Sequence, residues 1–315
     1  AAPFAGFAQQ AGKMRRIGYL HLAPAASETG QWGQRTLRDA LRRAGYEEGK
    51  NIVIEWRWAE GKLEQLQTLA DDLVRSKVEL IVAFVNDAIA AAKRATRTIP
   101  IVMLFGAVPV EIGFIESLAR PGGNVTGTAY HGPETAAKIL QLLKEAKPSA
   151  VRIALLWNPS FPGMRIYGAE ADRVAPSLGV SLQYFDVTRS EDVPAALERI
   201  AASRPDAFFF AFDPVLGARQ REIGAFALER KLVSIGTYPA FVDDAGGLLS
   251  YAPDVIDIVE RATTYIDRIL RGAKPSDLPV ELPRKYELVI NAKTARAIGY
   301  AIPPALRLRA ERVIE

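Results

Sequence analysis

Short apolar segments of strand length alternate with segments of helical periodicity along the first half of the chain. Leu63, Leu66, Ala70 and Leu73, for example, recur at the spacing of one helix face. The apolar segments are too short for helices and contain few polar positions, which is typical of strands that helices cover on both faces. The pattern therefore predicts repeated βα units and a parallel sheet, with strands at residues 16–20, 52–56, 80–84 and 101–105.

The same alternation restarts in the second half of the chain, with predicted strands at residues 151–157, 182–186, 207–212 and 233–236. A strand at 246–251, an amphipathic helix at 258–270 and a last strand at 288–290 follow. Strands that alternate with helices of this length form parallel sheets with right-handed crossovers. The predicted fold class is therefore α/β, with two Rossmann-like lobes.

Residues 117–127 lie between the two halves and contain Pro121, Gly122, Gly123 and Gly127. Proline fixes one backbone angle, whereas glycine adopts conformations that are closed to other residues. We therefore interpret this segment as a joint between the lobes. Two lobes that move about a joint form a cleft that opens and closes around a ligand.

The composition agrees with a globular protein and excludes several kinds of site. At 315 residues, with 49% hydrophobic and 24% charged residues, the chain is long enough for two domains. The net charge is only +4, and the basic residues form short pairs such as Arg42-Arg43, which indicates a solvated surface and no nucleic-acid partner. Because the chain has no cysteine, disulfides, thiolate metal ligands and cysteine nucleophiles are excluded.

The N-terminal residues 1–12 are small, mostly apolar and uncharged, and we interpret them as an export-signal remnant or a disordered tail. No run of about 18 apolar residues that could span a membrane occurs in the sequence.

Ligands of open α/β sheets bind beyond the carboxyl ends of the strands, so the residues that follow each predicted strand are the candidate site. They are aromatic residues, amides, hydroxyls and a few carboxylates. The candidate ligand-binding residues are His21, Ser27, Asn86, Asp87, Phe105, Tyr130, Trp157, Asn158, Asp213, Tyr238 and Tyr251.

These residue types fit a small zwitterion with an apolar body. Free N–H groups at the helix starts near Ser27 and Asn86 suit a carboxylate, and Asp213 suits an ammonium group. The aromatic residues suit a flat apolar ligand. Ser27, Asn86 and Asp213 are equally suited to capping the helices that follow them.

Several longer motifs occur in order and resemble the ABC-transporter substrate-binding proteins of the tryptophan/tyrosine type. The resemblance runs from about Arg15 to the C-terminus. The motifs are ESLARPGGNVTG at 116–127, LWNP at 156–159, FDP at 212–214, FVDDAGGLLSYAPD at 241–254 and LPVELP at 278–283, with WAEG at 58–61 and IPP at 302–304.

The resemblance implies a type I periplasmic-binding-protein fold with a three-segment hinge. It implies a first lobe of residues 13–127 plus 252–280 and a second lobe of 128–251 plus 281–315. It also implies a monomer in the periplasm that traps an aromatic amino acid or a related molecule and passes it to an ABC permease, without a cofactor or metal. The chain departs from the family pattern at Asn86-Asp87 and at residues 105–109, where the ligand should contact the first lobe.

Three alternative functions remain open on the sequence. The first is an aromatic or other organic carboxylate without an amine, for which His21 or Tyr251 would donate hydrogen bonds and Asp213 would only cap a helix. The second is a ligand sensor, since the same fold forms the effector domain of repressors, but no helix-turn-helix precedes Arg16. An enzyme is the third, and the sequence gives it no support: it has no nucleophile elbow, no phosphate-binding glycine motif and no metal-ligand spacing.

Overall fold

A computed structural model of the chain describes residues 14–130, 132–211 and 213–315. The segment 1–12, interpreted from the sequence as an export-signal remnant or tail, lies outside the described residues. No helix in the described part of the chain is long and apolar enough to cross a membrane.

The first half of the chain builds a five-stranded sheet in the order β2-β1-β3-β4-β5, with all strands parallel. Every residue of the third strand is buried, which explains its continuous apolar sequence. The elements are β1 (Arg15–His21), α1 (Glu28–Arg43), β2 (Ile52–Trp58), α2 (Gln65–Arg75), β3 (Leu80–Phe84), α3 (Val85–Ala95), β4 (Ile101–Ala107) and β5 (Val125–Tyr130).

The second half builds most of a seven-stranded sheet. Its elements are α4 (Gly132–Ala146), β6 (Arg152–Trp157), α5 (Met164–Val174), β7 (Ser181–Asp186), α6 (Val193–Ser203), β8 (Ala207–Phe210), α7 (Pro214–Gly217), α8 (Gln220–Glu229), β9 (Val233–Gly236), α9 (Ala240–Asp243) and β10 (Leu249–Pro253). The C-terminal elements are α10 (Val255–Leu270), β11 (Tyr286–Asn291), α11 (Ala292–Ile298), α12 (Pro304–Arg309) and β12 (Arg312–Ile314). Short 3-10 turns cover Ala175–Leu178, Ser190–Asp192 and Pro275–Asp277.

The strand order of the second sheet is β12-β11-β10-β9-β8-β6-β7. The sequence predicted only parallel strands, but β11 runs antiparallel to β10. The reason is the path of the chain between them. After β10 the chain leaves this sheet to form α10, and β11 then re-enters the sheet from the side at which β10 left it.

Helix α10 packs on the first sheet, although it follows β10 in sequence. Ile258, Ala262 and Ile266 lie in one buried cluster with Ile17 and Val102 of the first sheet. The chain therefore crosses between the sheets after Tyr130, after Pro253 and before Tyr286. The division into lobes of 13–127 plus 252–280 and 128–251 plus 281–315 stays a proposal, and β5 continues in the first sheet to Tyr130.

The crossing segments lie side by side and are hydrogen-bonded to one another. The N–H of Ala129 donates to the carbonyl of Glu281 at 2.9 Å, and the N–H of Glu281 donates to the carbonyl of Gly127 at 3.1 Å. Gly127 has a φ of 122°, and a Cβ at this position would lie 2.5 Å from the carbonyl oxygen of Met103. Only glycine fits there, because a side chain would meet the Met103 backbone and would rarely adopt this φ.

Candidate functional site

A cavity of about 100 Å³ lies between the carboxyl ends of the two sheets. Residues of the first sheet and of the start of α3 form one wall: Phe84, Val85, Phe105, Ala107, Val108 and Tyr130. Residues that follow the strands of the second sheet form the opposite wall: Phe161, Pro162, Gly163, Met164, Tyr167, Ala211, Asp213, Thr237 and Tyr238. Ala252, Pro253 and Val255 line the side where the chain crosses after β10.

The first wall is built from strained backbone. Val85, Phe105 and Val108 have φ values of 58°, 60° and 41°, which bulky side chains rarely adopt. Each such residue costs about 1–3 kcal/mol and persists only where its surroundings hold it in place. Asn86 provides part of that hold, since its Oδ1 accepts from the N–H of Ala107 at 2.9 Å and its Nδ2 donates to the carbonyl of Ala107 at 3.1 Å.

The same Asn86 side chain joins the two lobes. It is fully buried, and its Nδ2 also donates to the carbonyl of Pro162 at 2.8 Å. The sequence analysis placed Asn86 in contact with the ligand. The structure instead places its polar atoms in hydrogen bonds within the first wall and across the cleft, and Asn86 does not line the cavity.

Asp213 is the only charged side chain among the described residues that line the cavity. It is 1% exposed and caps α7, where its Oδ1 accepts from the N–H of Leu216 at 2.7 Å. Its Oδ2 accepts from Nδ2 of Asn158 at 2.5 Å. Burial raises the pKa of Asp213 to about 7, against the lowering effect of those two hydrogen bonds, and the charge of Asp87 raises it further. A buried carboxyl group with this pKa is suited to pair with a cation.

Asp87 itself does not line the cavity, although it lies near enough to raise the pKa of Asp213. Burial raises the pKa of Asp87 to about 6, and the nearby Arg94 opposes this shift. Asn158 also lies outside the cavity. Its Nδ2 donates to Asp213, and its Oδ1 accepts from the N–H of Ser160 at 3.0 Å. The two residues therefore influence the site through Asp213.

Three of the predicted aromatic contacts line the cavity, namely Phe105, Tyr130 and Tyr238. The other two pack elsewhere. Trp157 packs on Tyr184 and donates from Nε1 to Asp186 at 2.6 Å. Tyr251 stacks on Tyr286, with the ring centroids 5.3 Å apart.

Ser27 and His21 lie outside the central cavity, on a groove that adjoins it. Ser27 caps α1, since its Oγ accepts from the N–H of Gly30 at 3.1 Å and donates to the carbonyl of Pro24 at 2.7 Å. The His21 ring stacks on Phe84, with centroids 4.3 Å apart, and Phe84 lines both the groove and the cavity. One aromatic ring therefore separates His21 from the cavity.

The loop before α5, which was not predicted from the sequence as part of the site, supplies Phe161, Pro162 and Gly163 to the cavity. A signal for it is the Pro-Gly pair shortly after the LWNP motif, because such pairs mark tight turns. Gly163 has a φ of 90°, and a Cβ there would lie 2.7 Å from Cγ2 of Val108 in the other lobe. The turn thus brings the second lobe into direct contact with the first.

The described residues contain no group of histidine and carboxylate side chains that could hold a metal ion. The site consists of one buried acid, several aromatic rings and the first residues of the helices α3, α5 and α10. This arrangement can surround a small molecule that carries an apolar body and a positive charge.

The chain matches one protein family and is similar to a known protein by sequence and to several solved structures. The family of ABC transporter substrate-binding proteins matches residues 32–314. A tyrosine-binding protein from Clostridioides difficile (strain R20291) is 28% identical over 259 residues, which cover 82% of this chain and 74% of the relative.

Two solved structures are similar over nearly their whole length. A conserved domain protein from Vibrio cholerae O1 biovar El Tor has 26% identity and a TM-score of 0.89, with 96% of this chain and 100% of that chain covered. A domain from Streptococcus pneumoniae in complex with L-Trp has 25% identity and a TM-score of 0.87, with 95% and 99% covered. More distant binding proteins share the fold, which confirms the predicted two-lobed periplasmic-binding-protein architecture.

Proposed function

The chain belongs to the family of ABC transporter substrate-binding proteins, and we propose that it traps a small aromatic amino acid or a related molecule in the cleft between its lobes. The observation that carries this proposal is the buried Asp213 in a cavity otherwise lined by uncharged residues. An ammonium group bound there would neutralise the carboxylate, and the surrounding rings would bury an aromatic side chain.

The relatives support an aromatic ligand. One is a tyrosine-binding protein, and the structure of another contains L-Trp. In this chain Phe84 and Phe105, with ring centroids 5.3 Å apart, form an aromatic surface on the first wall. We propose that the ligand's ring packs on this surface, its ammonium group pairs with Asp213, and its carboxylate binds to donors of the first lobe.

Such a ligand would stabilise the closed form, because its partners come from both lobes. Phe84 and Phe105 belong to the first lobe and Asp213 to the second. A ligand shifts a conformational equilibrium only by the difference in its affinity for the two states. Contacts that exist together only when the lobes approach supply that difference, and the three crossing segments act as the hinge.

We also propose that the protein acts outside the cytoplasm, in the periplasm, and delivers its ligand to an ABC permease as a monomer. The family assignment supports the first two points. A solution mass near 34.4 kDa is expected for the third, and a dimer mass would contradict it.

The Asp213→Asn variant tests the ammonium contact, because it removes the charge and keeps the shape of the side chain. We expect affinity for L-tryptophan and L-tyrosine, measured by calorimetry, to fall at least tenfold. Affinity for indole-3-propionate, which has no amine, should change little. Asp192→Asn is the matched control, since Asp192 pairs with Arg189 on the surface. An equal loss for the amino acids and for the deaminated acid would contradict the proposal.

A further inference from the structure

We propose that Tyr19 and His21 form a donor pair that binds the ligand's carboxylate when the lobes close. This inference rests on the proposed function and names the first-lobe donors that the proposed function leaves unassigned. The two residues stand on the same face of β1, with ring centroids 5.9 Å apart. Both side chains are buried, and each carries a polar atom without a hydrogen-bond partner in the described structure.

The hydrogen bonding of His21 determines which of its nitrogens is the donor. The N–H of Ala23 donates to Nδ1 at 2.8 Å, so Nδ1 is an acceptor and a neutral ring carries its proton on Nε2. Burial lowers the pKa of His21 to about 3, which keeps the ring neutral at physiological pH. Nε2 is therefore a buried N–H donor that has no acceptor among the described residues. Buried donors of this kind are rare because leaving them unpaired is costly.

The hydroxyl of Tyr19 is also buried and has no hydrogen-bond partner among the described residues. Its ring is held between Trp56 and Trp58, with centroid distances of 4.9 and 5.3 Å. Its oxygen would lie 2.9 Å from a Cβ at Gly33, so the lack of a side chain on this residue of α1 leaves room for the hydroxyl. Burial raises the pKa of Tyr19, and Tyr238 of the second lobe raises it further. Tyr238 also lines the central cavity.

The second lobe contributes a third unpartnered group at this place. Gln220, at the start of α8, is 6% exposed, and its Oε1 has no partner among the described residues. Gln220 lines one groove together with His21 and another together with Tyr238. It therefore brings a buried acceptor of the second lobe to the groove that His21 lines.

His21 shares a groove with residues of the second lobe that follow Asp213. Pro214 and Val215, the two residues that follow Asp213, line the same groove as His21. Phe84 separates His21 from the cavity and lines both spaces. An amino acid carries its carboxylate and its ammonium on one carbon atom, so it requires donors next to an acid. We therefore infer that Tyr19 and His21 supply these donors while Asp213 pairs with the ammonium group.

The experiment uses two probes that each keep one charged group of tryptophan. Indole-3-propionate keeps the carboxylate, and tryptamine keeps the amine. We expect Tyr19→Phe and His21→Phe each to weaken binding of L-tryptophan and indole-3-propionate by about 10- to 100-fold, as expected for a hydrogen bond to a charged group. Tryptamine binding should stay within about threefold of wild type. Asp213→Asn should show the opposite selectivity.

Two readouts separate this role from a structural one. Removing an unpartnered hydroxyl should leave the melting temperature of the free Tyr19→Phe protein unchanged or raise it. Ser250→Ala is the matched control, because it removes another buried hydroxyl that has no partner among the described residues, from strand β10 of the second sheet. It should leave all affinities unchanged. Normal binding of indole-3-propionate by both Tyr19→Phe and His21→Phe would overturn the inference, and a lowered melting temperature would then indicate a structural role.

The proposed function and the donor pair fail in different ways. If the wild type binds indole-3-propionate but not L-tryptophan or L-tyrosine, the proposed amino-acid ligand is wrong. The donor pair then stands if Tyr19→Phe and His21→Phe lose the acid. If the wild type binds the amino acids but neither variant weakens them, the donor pair is wrong and the proposed function stands. A wild-type protein that binds none of these compounds contradicts both.

Discussion

Asp213 shows how burial and hydrogen bonding act in opposite directions on one residue. Its two hydrogen bonds favour the carboxylate, but the loss of solvent dominates and the pKa rises to about 7. Near neutral pH the free protein therefore carries Asp213 partly protonated. A bound ammonium group would favour the ionised form, so ligand binding and ionisation of Asp213 are coupled.

The raised pKa predicts how the stability of the free protein depends on pH. Because the folded state binds this proton more tightly than the unfolded state, the stabilisation is complete below about pH 4 and is lost as the pH rises through about 7. Between pH 5 and pH 8 the wild type should lose roughly 2 kcal/mol more than Asp213→Asn does. Urea denaturation of both proteins at the two pH values measures this difference.

The comparison with the variant is necessary because His21 acts in the other direction. Its pKa is lowered by burial, so its contribution is lost as the pH falls below about 6.5. Asp87, whose pKa is also raised, contributes to both proteins alike. Parallel pH profiles for the wild type and Asp213→Asn would contradict a raised pKa for Asp213.

At the scale of elements, the turn before α5 controls how closely the lobes approach. Gly163 faces Val108 across the cleft, next to the hydrogen bond between Asn86 and the carbonyl of Pro162. A side chain on this glycine would occupy space that the closed arrangement fills. The lobes can make this contact only because Gly163 has no side chain that would meet Val108.

We expect Gly163→Ala to shift the protein toward an open form. Affinity should fall in proportion to the loss of the closed population, and the radius of gyration measured by X-ray scattering should rise. Gly179→Ala is the control, since Gly179 also has a positive φ but a Cβ there would meet nothing within 4 Å. Both variants pay a backbone penalty of about 1 kcal/mol, but only Gly163→Ala should open the cleft. Equal scattering curves would contradict this role.

The sequence predicted the elements well because covered parallel strands leave long apolar runs. Residues 80–84 were assigned correctly for this reason. The antiparallel entry of β11 was missed, since it depends on where α10 packs and not on any local pattern. The carboxyl-end rule located Phe105 and Asp213 on the cavity, but a strand end does not determine where a side chain points, so it could not exclude Trp157.

The donor pair was only half predicted from the sequence. His21 was a candidate because it ends the first strand, whereas Tyr19 lies inside that strand and has the appearance of a core residue. Only the structure shows that its hydroxyl lacks a partner. A pattern of apolar residues cannot reveal this, since it does not record hydrogen bonds.

At the scale of the whole molecule, three crossing segments join two sheets whose carboxyl ends face each other. The hydrogen bonds of Ala129 and Glu281 join the first and third segments, and the N–H of Asp254 donates to the carbonyl of Lys285 at 3.0 Å and so joins the second segment to the third. The cavity lies beside the hinge and takes residues from both lobes. The architecture therefore places a charged group, an aromatic surface and the interface between the lobes at one point, which suits the proposed capture of a ligand.

Proton release on binding tests this account most directly, because it reports the ligand, the site and the state of Asp213 together. L-Tryptophan is titrated calorimetrically at pH 6 in two buffers of different ionisation enthalpy. The wild type should release close to one proton per ligand, since Asp213, with a pKa of about 7, must ionise to pair with the ammonium group. Asp213→Asn should bind weakly and release far fewer protons. Tight binding to the wild type without proton release would contradict the account.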